Sequence, residues 1–331
     1  MDRFEKRCQE AKVHCIRKNR EGKNFAELLK EIDEGGYDLT VMGSLGMGVV
    51  ENSIIGGVCE RVARKTRKDL LIVKSETLNP ESEILKKILV AIDGSPYSYW
   101  GLIVALNLKK AWGQISNLSP QIEAVAAFDP YFHQIAFKNI KDALSEEAAK
   151  VFKFKEQEKL HDEIIDKGMA KLYQGCLDTA AQIAKTKGID IKTTLLAGKA
   201  YNEIIKHIQL TKPGLLIIGR CGLHHVKESD MGSNAENLLR LAPCNIFIGA
   251  RGFNPEEIIK TNTNALPCIE WTEGALKRVE KIPPFAQGMA KKAIEDYARE
   301  KGQNMITEKI IDEATNKLLP PSAKRAMGIE E

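Results

Sequence analysis

Between residues 219 and 234 the chain reads GRCGLHHVKESDMGSN, so Gly219, Gly222 and Gly232 are followed at once by Ser233. An apolar run, GLLIIG, precedes the stretch, and a helical pattern follows it. Glycines at this spacing let a backbone approach a ligand closely and adopt positive φ. Gly232 and Ser233 would open the next helix with amides and a hydroxyl facing outward, which is what phosphate binding requires. Arg220 adds a cation beside that seat, whereas Asp230 sets an anion just ahead of it, repulsive by up to about 1 kcal/mol where exposed. His224 and His225 are sequence neighbours that cannot easily share a metal, and no cysteine or carboxylate stands at ligand spacing; they read as exposed loop residues.

The same spacing occurs earlier, in GSLGMGVVENSIIGGV from residue 43, but Gly57 stands where the later copy has Ser233. Sliding the sequence by 176 positions aligns residues 13–73 with 189–249 without a gap. The overlay pairs Gly43 with Gly219, Gly46 with Gly222, Gly56 with Gly232, Glu60 with Glu236 and Arg64 with Arg240. A repeat of this length is the first fact to establish about a chain.

Each copy alternates short apolar runs (DLTVMG over GLLIIG, DLLIV over NIFIG) with amphipathic segments (NFAELLKEI over YNEIIKHI). That grammar is βαβ, with strands covered on both faces. Upstream of the second copy, KKILVAIDGS reads as a buried strand and turn, YSYWGLIVALNLKKAW as a helix and QIEAVAAF as another strand. The expectation is an α/β fold of tandem doubly wound parallel-sheet units. Residues 1–75 form an incomplete unit without the two leading strands, and 85–251 a complete one with a helical insert at about 131–188. In the incomplete unit an edge that belongs in mid-sheet would be left unpaired, an aggregation liability. Linkers at 75–83 and 251–267 carry Pro, Asn and Ser, and beyond them WTEGALKRVEKI, FAQGMAKKAIEDYAREKG and ITEKIIDEATNKL read as three helical segments with Thr272 and Thr307 as N-caps.

The balance of 49 basic and 45 acidic side chains, net +4, gives no field that would gather nucleic acid or an anionic membrane. The seven cysteines are scattered with no metal-ligand spacing, and no stretch reaches the ~20 apolar residues of a membrane span. The expected setting is therefore cytoplasmic, with reduced thiols, no bound metal and no nucleic acid partner.

The G-x-x-G, nine residues, G-S pattern followed by a helix and a strand, with ILVAIDGS opening the unit, resembles the universal stress protein family over about residues 86–250. In the ATP-binding branch of that family the first strand's aspartate lies beside base and ribose, and the glycine loop with its Ser or Thr holds ribose and phosphates. Carried over by motif position, the resemblance implies ATP or AMP held in the second unit only, by Asp93, Gly219, Gly222, Gly232 and Ser233, with Arg220 as a further phosphate contact. Residues 268–318 resemble the small helical domain at the C-terminus of the light-independent protochlorophyllide reductase catalytic subunit, through Trp271, Pro283, Phe285, Glu295, Ala298, Arg299, Gly302, Ile306 and Thr307. Gln287 replaces the arginine usual after the proline-aromatic turn, and the reductase's cluster cysteines and large catalytic body are absent from this sequence.

These features imply a protein that is not an enzyme, since the sequence has no Walker lysine, Mg²⁺ carboxylate pair or positioned base. The first reading is a nucleotide-binding regulatory or stress-response protein that docks on a partner through its helical modules. The alternative is a scaffolding, filament-forming or assembly subunit of a larger redox metalloenzyme complex with degenerate nucleotide sites. Either reading implies a homo-oligomer, a large protein partner, or both.

Overall fold

The computed structural model describes residues 2–46, 55–74, 86–116, 119–129, 167–223, 231–255, 270–280, 291, 293–295, 297–298, 301–303 and 305–318. Most of the helical insert and of the two linkers therefore lies outside the described residues, as do Pro283, Phe285, Gln287 and Arg299. Along the chain the main elements are α1 (Asp2–Glu10), α2 (Asn24–Glu34), β1 (Leu39–Gly43), α3 (Gly57–Lys65), β2 (Asp69–Val73), β3 (Lys87–Ala91), α4 (Pro96–Ser116), β4 (Gln121–Phe128), α5 (Lys167–Thr186), β5 (Lys192–Ala197), α6 (Ala200–Thr211), β6 (Leu215–Gly219), α7 (Ser233–Leu241) and β7 (Asn245–Gly249).

These strands form a single seven-stranded sheet in the order β1-β2-β7-β6-β3-β4-β5. Successive side chains of an apolar strand point to opposite faces, and the two cores follow from that alternation. Ile88, Val90, Leu215 and Ile217 face α4 and α5, meeting Leu102, Leu106, Leu177 and Ile183. Leu89, Leu216, Ile218, Ile246 and Ile248 face α6 and α7, meeting Ile204, Ile208, Leu238 and Leu239. Cys59, Ala63, Leu70 and Ile72 of the first copy belong to this second core, so the first copy is built onto the second.

The join is the antiparallel pairing of β2 with β7, each the last strand of its copy; all other pairings in this sheet are parallel. Its polar contacts come in reciprocal sets. The Ala250 amide donates to Asp69 Oδ1 at 2.8 Å, and the Lys74 amide donates to Asn245 Oδ1 at 2.9 Å. Arg240 pairs with Glu60 at 2.5 Å across α3 and α7, and Arg64 pairs with Glu236. One asymmetry follows from the Asp/Asn difference. Asn245 donates from Nδ2 to the Gly214 carbonyl at 3.0 Å, but a carboxylate has no such donor. At the matching place Arg251 donates to the Asp38 carbonyl at 3.1 Å and lies 3.4 Å from Asp69 Oδ2, which also accepts from Trp100 Nε1 at 3.0 Å.

In the complete unit β3 lies between β6 and β4. Among the described residues nothing occupies the corresponding place beside β1. Leu39 and Val41 are 43% and 58% exposed, whereas their counterparts Leu215 and Ile217 are 5% and 0% exposed. Leu28 on α2 is likewise exposed where Ile204 is buried.

The C-terminal module has its own core of Ala275, Val279, Ile294, Tyr297, Ala298, Ile306, Ile310, Ile311 and Ala314, with Trp271 packed against it. It differs from the helical expectation in one respect. Trp271 lies in a two-residue strand, β8 (Glu270–Trp271), paired in parallel with β9 (Met305–Ile306). The reason is the cap: Thr272 Oγ1 accepts from the Ala275 amide at 3.3 Å, so α8 (Glu273–Glu280) starts only after it. The last helix, α9, spans Glu308–Leu318.

Candidate nucleotide site

A cavity of about 570 Å³ opens beyond the carboxyl ends of β3 and β6, flanked by β4, α5 and α6, where strand order reverses in the complete unit. Ligands of open parallel sheets bind at such a crevice. Asp93, Gly219, Gly222, Gly232 and Ser233 all line it, so the fold gathers residues up to 140 positions apart that the sequence nominated.

Asp93 follows β3 by two residues and is fixed by the turn. Its Oδ1 accepts from the Ser95 amide at 2.9 Å and the Ser95 hydroxyl at 2.6 Å, and its Oδ2 accepts from the Leu223 amide at 3.3 Å. Gly222 is small for this reason: a Cβ there would sit 2.8 Å from Asp93 Oδ2. Gly219 is small for another, since its Cβ would sit 2.9 Å from the Ser98 amide nitrogen at the start of α4. Neither has positive φ; close approach, not the left-handed conformation, is what selects glycine at both. Gly232 caps α7 in an extended conformation, its amide donating to the Arg220 carbonyl at 3.1 Å. A Cβ on Gly232 would meet nothing closer than 3.5 Å.

Ser233, Asn234 and Ala235 form the first turn of α7 and line the cavity together with Asp93. The first amides of a helix have no partner within it, and they carry its positive partial charge. The cavity thus offers helix amides suited to an anion and a fixed carboxylate that accepts hydrogen bonds.

Arg220 does not join the cavity. Its side chain is buried and donates from Nη1 to the Ala63 carbonyl at 2.8 Å and from Nη2 to the Arg64 carbonyl, at the C-terminal end of α3. A guanidinium offers five donors to carbonyls that a helix end leaves open, so the first copy's helix takes the cation that the loop spacing assigned to a phosphate. The visible signal is the repeat itself: position 220 aligns with Ser44, too short to make a reciprocal contact. Asp230, His224 and His225 lie outside the described residues.

Tyr173 of α5 was not singled out by sequence, yet it lines the cavity near Asp93. Burial pushes its phenol pKa up, and the nearby Asp93 and Cys176 add to the shift. Its helix stripe with Leu177 and Ala180 reads as core, and only the fold shows that the first residue of the stripe reaches the crevice.

In the first copy the hydrogen bond that closes the loop is kept, the Gly56 amide donating to the Ser44 carbonyl at 2.7 Å as Gly232 does to Arg220. A Cβ on Gly46 would meet nothing within 4 Å, because no described residue stands where Asp93 stands in the second copy.

A second polar cluster sits at the opposite, amino-terminal ends of the strands. Buried Glu123 accepts from Thr194 Oγ1 at 2.7 Å and pairs with Lys192 at 2.9 Å and His207 at 3.0 Å. Burial opposes its charge, but the hydrogen bonds from Lys192 and Thr194 and the charges of His207 and Lys192 outweigh it and hold the carboxyl below its usual value.

Comparison with known proteins relates the chain to two families. Residues 271–314 match the family model described as the proto-chlorophyllide reductase 57 kD subunit. A light-independent protochlorophyllide reductase subunit of Pyropia yezoensis is 34% identical over 67 residues, which are 20% of this chain and 13% of that protein's length. Universal stress protein YxiE of Bacillus subtilis is 25% identical over 171 residues, 50% of this chain and 99% of that protein. A crystal structure of a universal stress protein from Archaeoglobus fulgidus superposes with a TM-score of 0.48 at 16% identity, covering 76% of this chain and 80% of that one. The family model for universal stress proteins matches residues 2–74 and 124–248, well over half of the sequence, and the chain belongs to the universal stress protein family.

Proposed function

We propose that the cavity of the complete unit binds an adenine nucleotide, ATP or AMP, and that the protein is a nucleotide-responsive regulator that binds without turning its ligand over. One observation carries this: the first turn of α7, with Ser233, and Asp93 line one cavity of about 570 Å³, a volume in the usual range for small-molecule sites. Phosphates would lie on α7, and the ribose or base would donate to Asp93. Isothermal titration of the full chain with ATP and with AMP tests it. Saturable one-to-one binding is expected, and no heat of binding up to millimolar nucleotide overturns it.

The regulatory output would pass through the C-terminal module to a protein partner. Deleting residues 268–331 should leave nucleotide affinity nearly unchanged while abolishing a pull-down or self-association contact. The second reading, an assembly subunit of a larger redox complex with a degenerate site, is favoured by Arg220 being drawn away from the cavity and by the open edge of β1. Native purification followed by mass spectrometry of bound nucleotide and bound proteins separates the two.

A further inference from the structure

We propose that Cys8 and Cys15 are a modification site: an oxidisable dithiol that closes to a disulfide and fastens the end of α1 to the segment following it. The chain reverses there through a defined helix stop. The Val13 amide donates to the Cys8 carbonyl at 2.8 Å, the Lys12 amide to the Gln9 carbonyl at 3.0 Å, and Lys12 has φ of +55°. These are the 6→1 and 5→2 bonds of a Schellman motif with its left-handed residue. Past it the chain turns back, bringing Cys15 near Cys8; burial and that neighbour both push the Cys8 thiol's pKa up.

The second copy shows what the two positions were built for. Gly188 has φ of +70°, the Ile189 amide donates to the Ala184 carbonyl at 3.0 Å, and the counterparts of the two cysteines, Ala184 and Ile191, both pack in the core of their unit. The first copy therefore places two thiols at positions whose counterparts share one core. The strands that would bury them do not cover them: Cys15 is exposed and Cys8 partly so, whereas Cys59, Cys221 and Cys244 are buried. Lys18 and Arg20 bond to Glu31 of α2, so the closed pair would link α1, the extended segment and α2.

The chemistry is exchange with a small disulfide such as glutathione disulfide. One cysteine thiolate attacks it, forming a mixed disulfide and expelling one glutathione thiolate. The other cysteine thiolate then attacks the protein-bound sulfur, forming the Cys8–Cys15 bond and expelling the second glutathione. The protein loses two electrons and two protons, and one glutathione disulfide becomes two thiols.

The test equilibrates the full chain in glutathione buffers of graded redox ratio, with and without urea, then alkylates and measures the peptide carrying both cysteines by mass spectrometry. In the native protein the peptide should lose two hydrogens at a glutathione ratio at least about tenfold more reducing than in urea, because the fold raises the effective concentration of one thiol at the other. Cys8→Ala, which installs the residue of the second copy, should instead leave a glutathione adduct on Cys15. Equal ratios in native and unfolded protein, or mixed adducts that persist in the parent chain, overturn the proposal.

Discussion

Leu71 lies opposite Phe247 in the antiparallel register of β2 and β7, and the two hold equivalent positions of the 176-residue repeat. An approximate twofold axis therefore runs between them, and contacts near it occur twice with the roles exchanged. Glu60 and Arg64 of α3 meet Arg240 and Glu236 of α7, each acid also lying within reach of the arginine on its own helix, at 3.7 Å and 3.0 Å.

This four-charge ring should respond to swapping as a unit. Glu60→Lys places two arginines and a lysine around one glutamate; the loss should be about 1 kcal/mol or less, because the side chains are partly exposed. Reversing the pair with Glu60→Arg and Arg240→Glu should recover part of it. Urea unfolding of the three proteins checks this, and the differences should shrink in about 1 M salt, where the screening length falls to about 3 Å. Equal stability of single and double variants would show that the ring carries no coupling.

The glycines of the loop should separate into folding and binding classes. Gly219→Ala should destabilise the protein, since the new Cβ would press on the backbone of α4, and Gly46→Ala should be silent. Gly222→Ala should displace Asp93 and weaken ATP binding by roughly tenfold or more. Gly232→Ala has room within the protein, so any lost affinity there reports ligand approach. Ser233→Ala removes a hydrogen bond to a charged group, about 1.5 to 3 kcal/mol or ten- to hundredfold in Kd. Paired melting curves and calorimetric titrations distinguish the classes.

Glu123 should make stability depend on acid. Its carboxyl is held below the unfolded value of 4.5, so its contribution is fully present above that pH and is lost as pH falls through the lower folded value. Glu123→Gln should cost about 1.5 to 3 kcal/mol near neutrality, and the deficit should narrow at about pH 3. Urea midpoints at the two pH values measure it; a deficit independent of pH assigns the loss to packing instead of charge.

The exposed strand edge should drive self-association. Val41→Lys puts a charge on an edge position already 58% exposed, a device that blunts strand-to-strand pairing at little cost to the fold. Light scattering should fall while the melting temperature holds. Residues 1–74 expressed alone should be insoluble, having lost β7 as well; a soluble, cooperatively unfolding monomer would contradict this.

The sheet was legible in the sequence because each strand is a short apolar run repeated at a fixed offset. The spacing of Gly219, Gly222, Gly232 and Ser233 was legible in one dimension, whereas Asp93 was reached only through the family resemblance; the fold sets all five on one cavity. What stayed hidden depends on which distant segments meet. The antiparallel seam of β2 and β7 leaves no local period, since the same strands would look alike if paired otherwise. Arg220 was placed with its loop neighbours because its long side chain hides its destination, and Tyr173 was lost in an ordinary helix stripe. β8 and β9 have two residues each, too short for alternation to register.

The difference between Asp69 and Asn245 gives the seam a polarity, and the helix ends beside it extend that polarity. A seam of two first-copy strands would leave the Asp38 carbonyl without the Arg251 that serves it, and the end of α3 without Arg220, whose place Ser44 takes. In a seam of two second-copy strands, Ala250 would stand in place of Lys74, whose ammonium donates to the Leu239 and Ala242 carbonyls at the end of α7. Each half thus completes the other better than it completes itself. Duplication supplied two similar surfaces, and divergence at a few polar positions has turned self-recognition into recognition of a single, covalently attached mate.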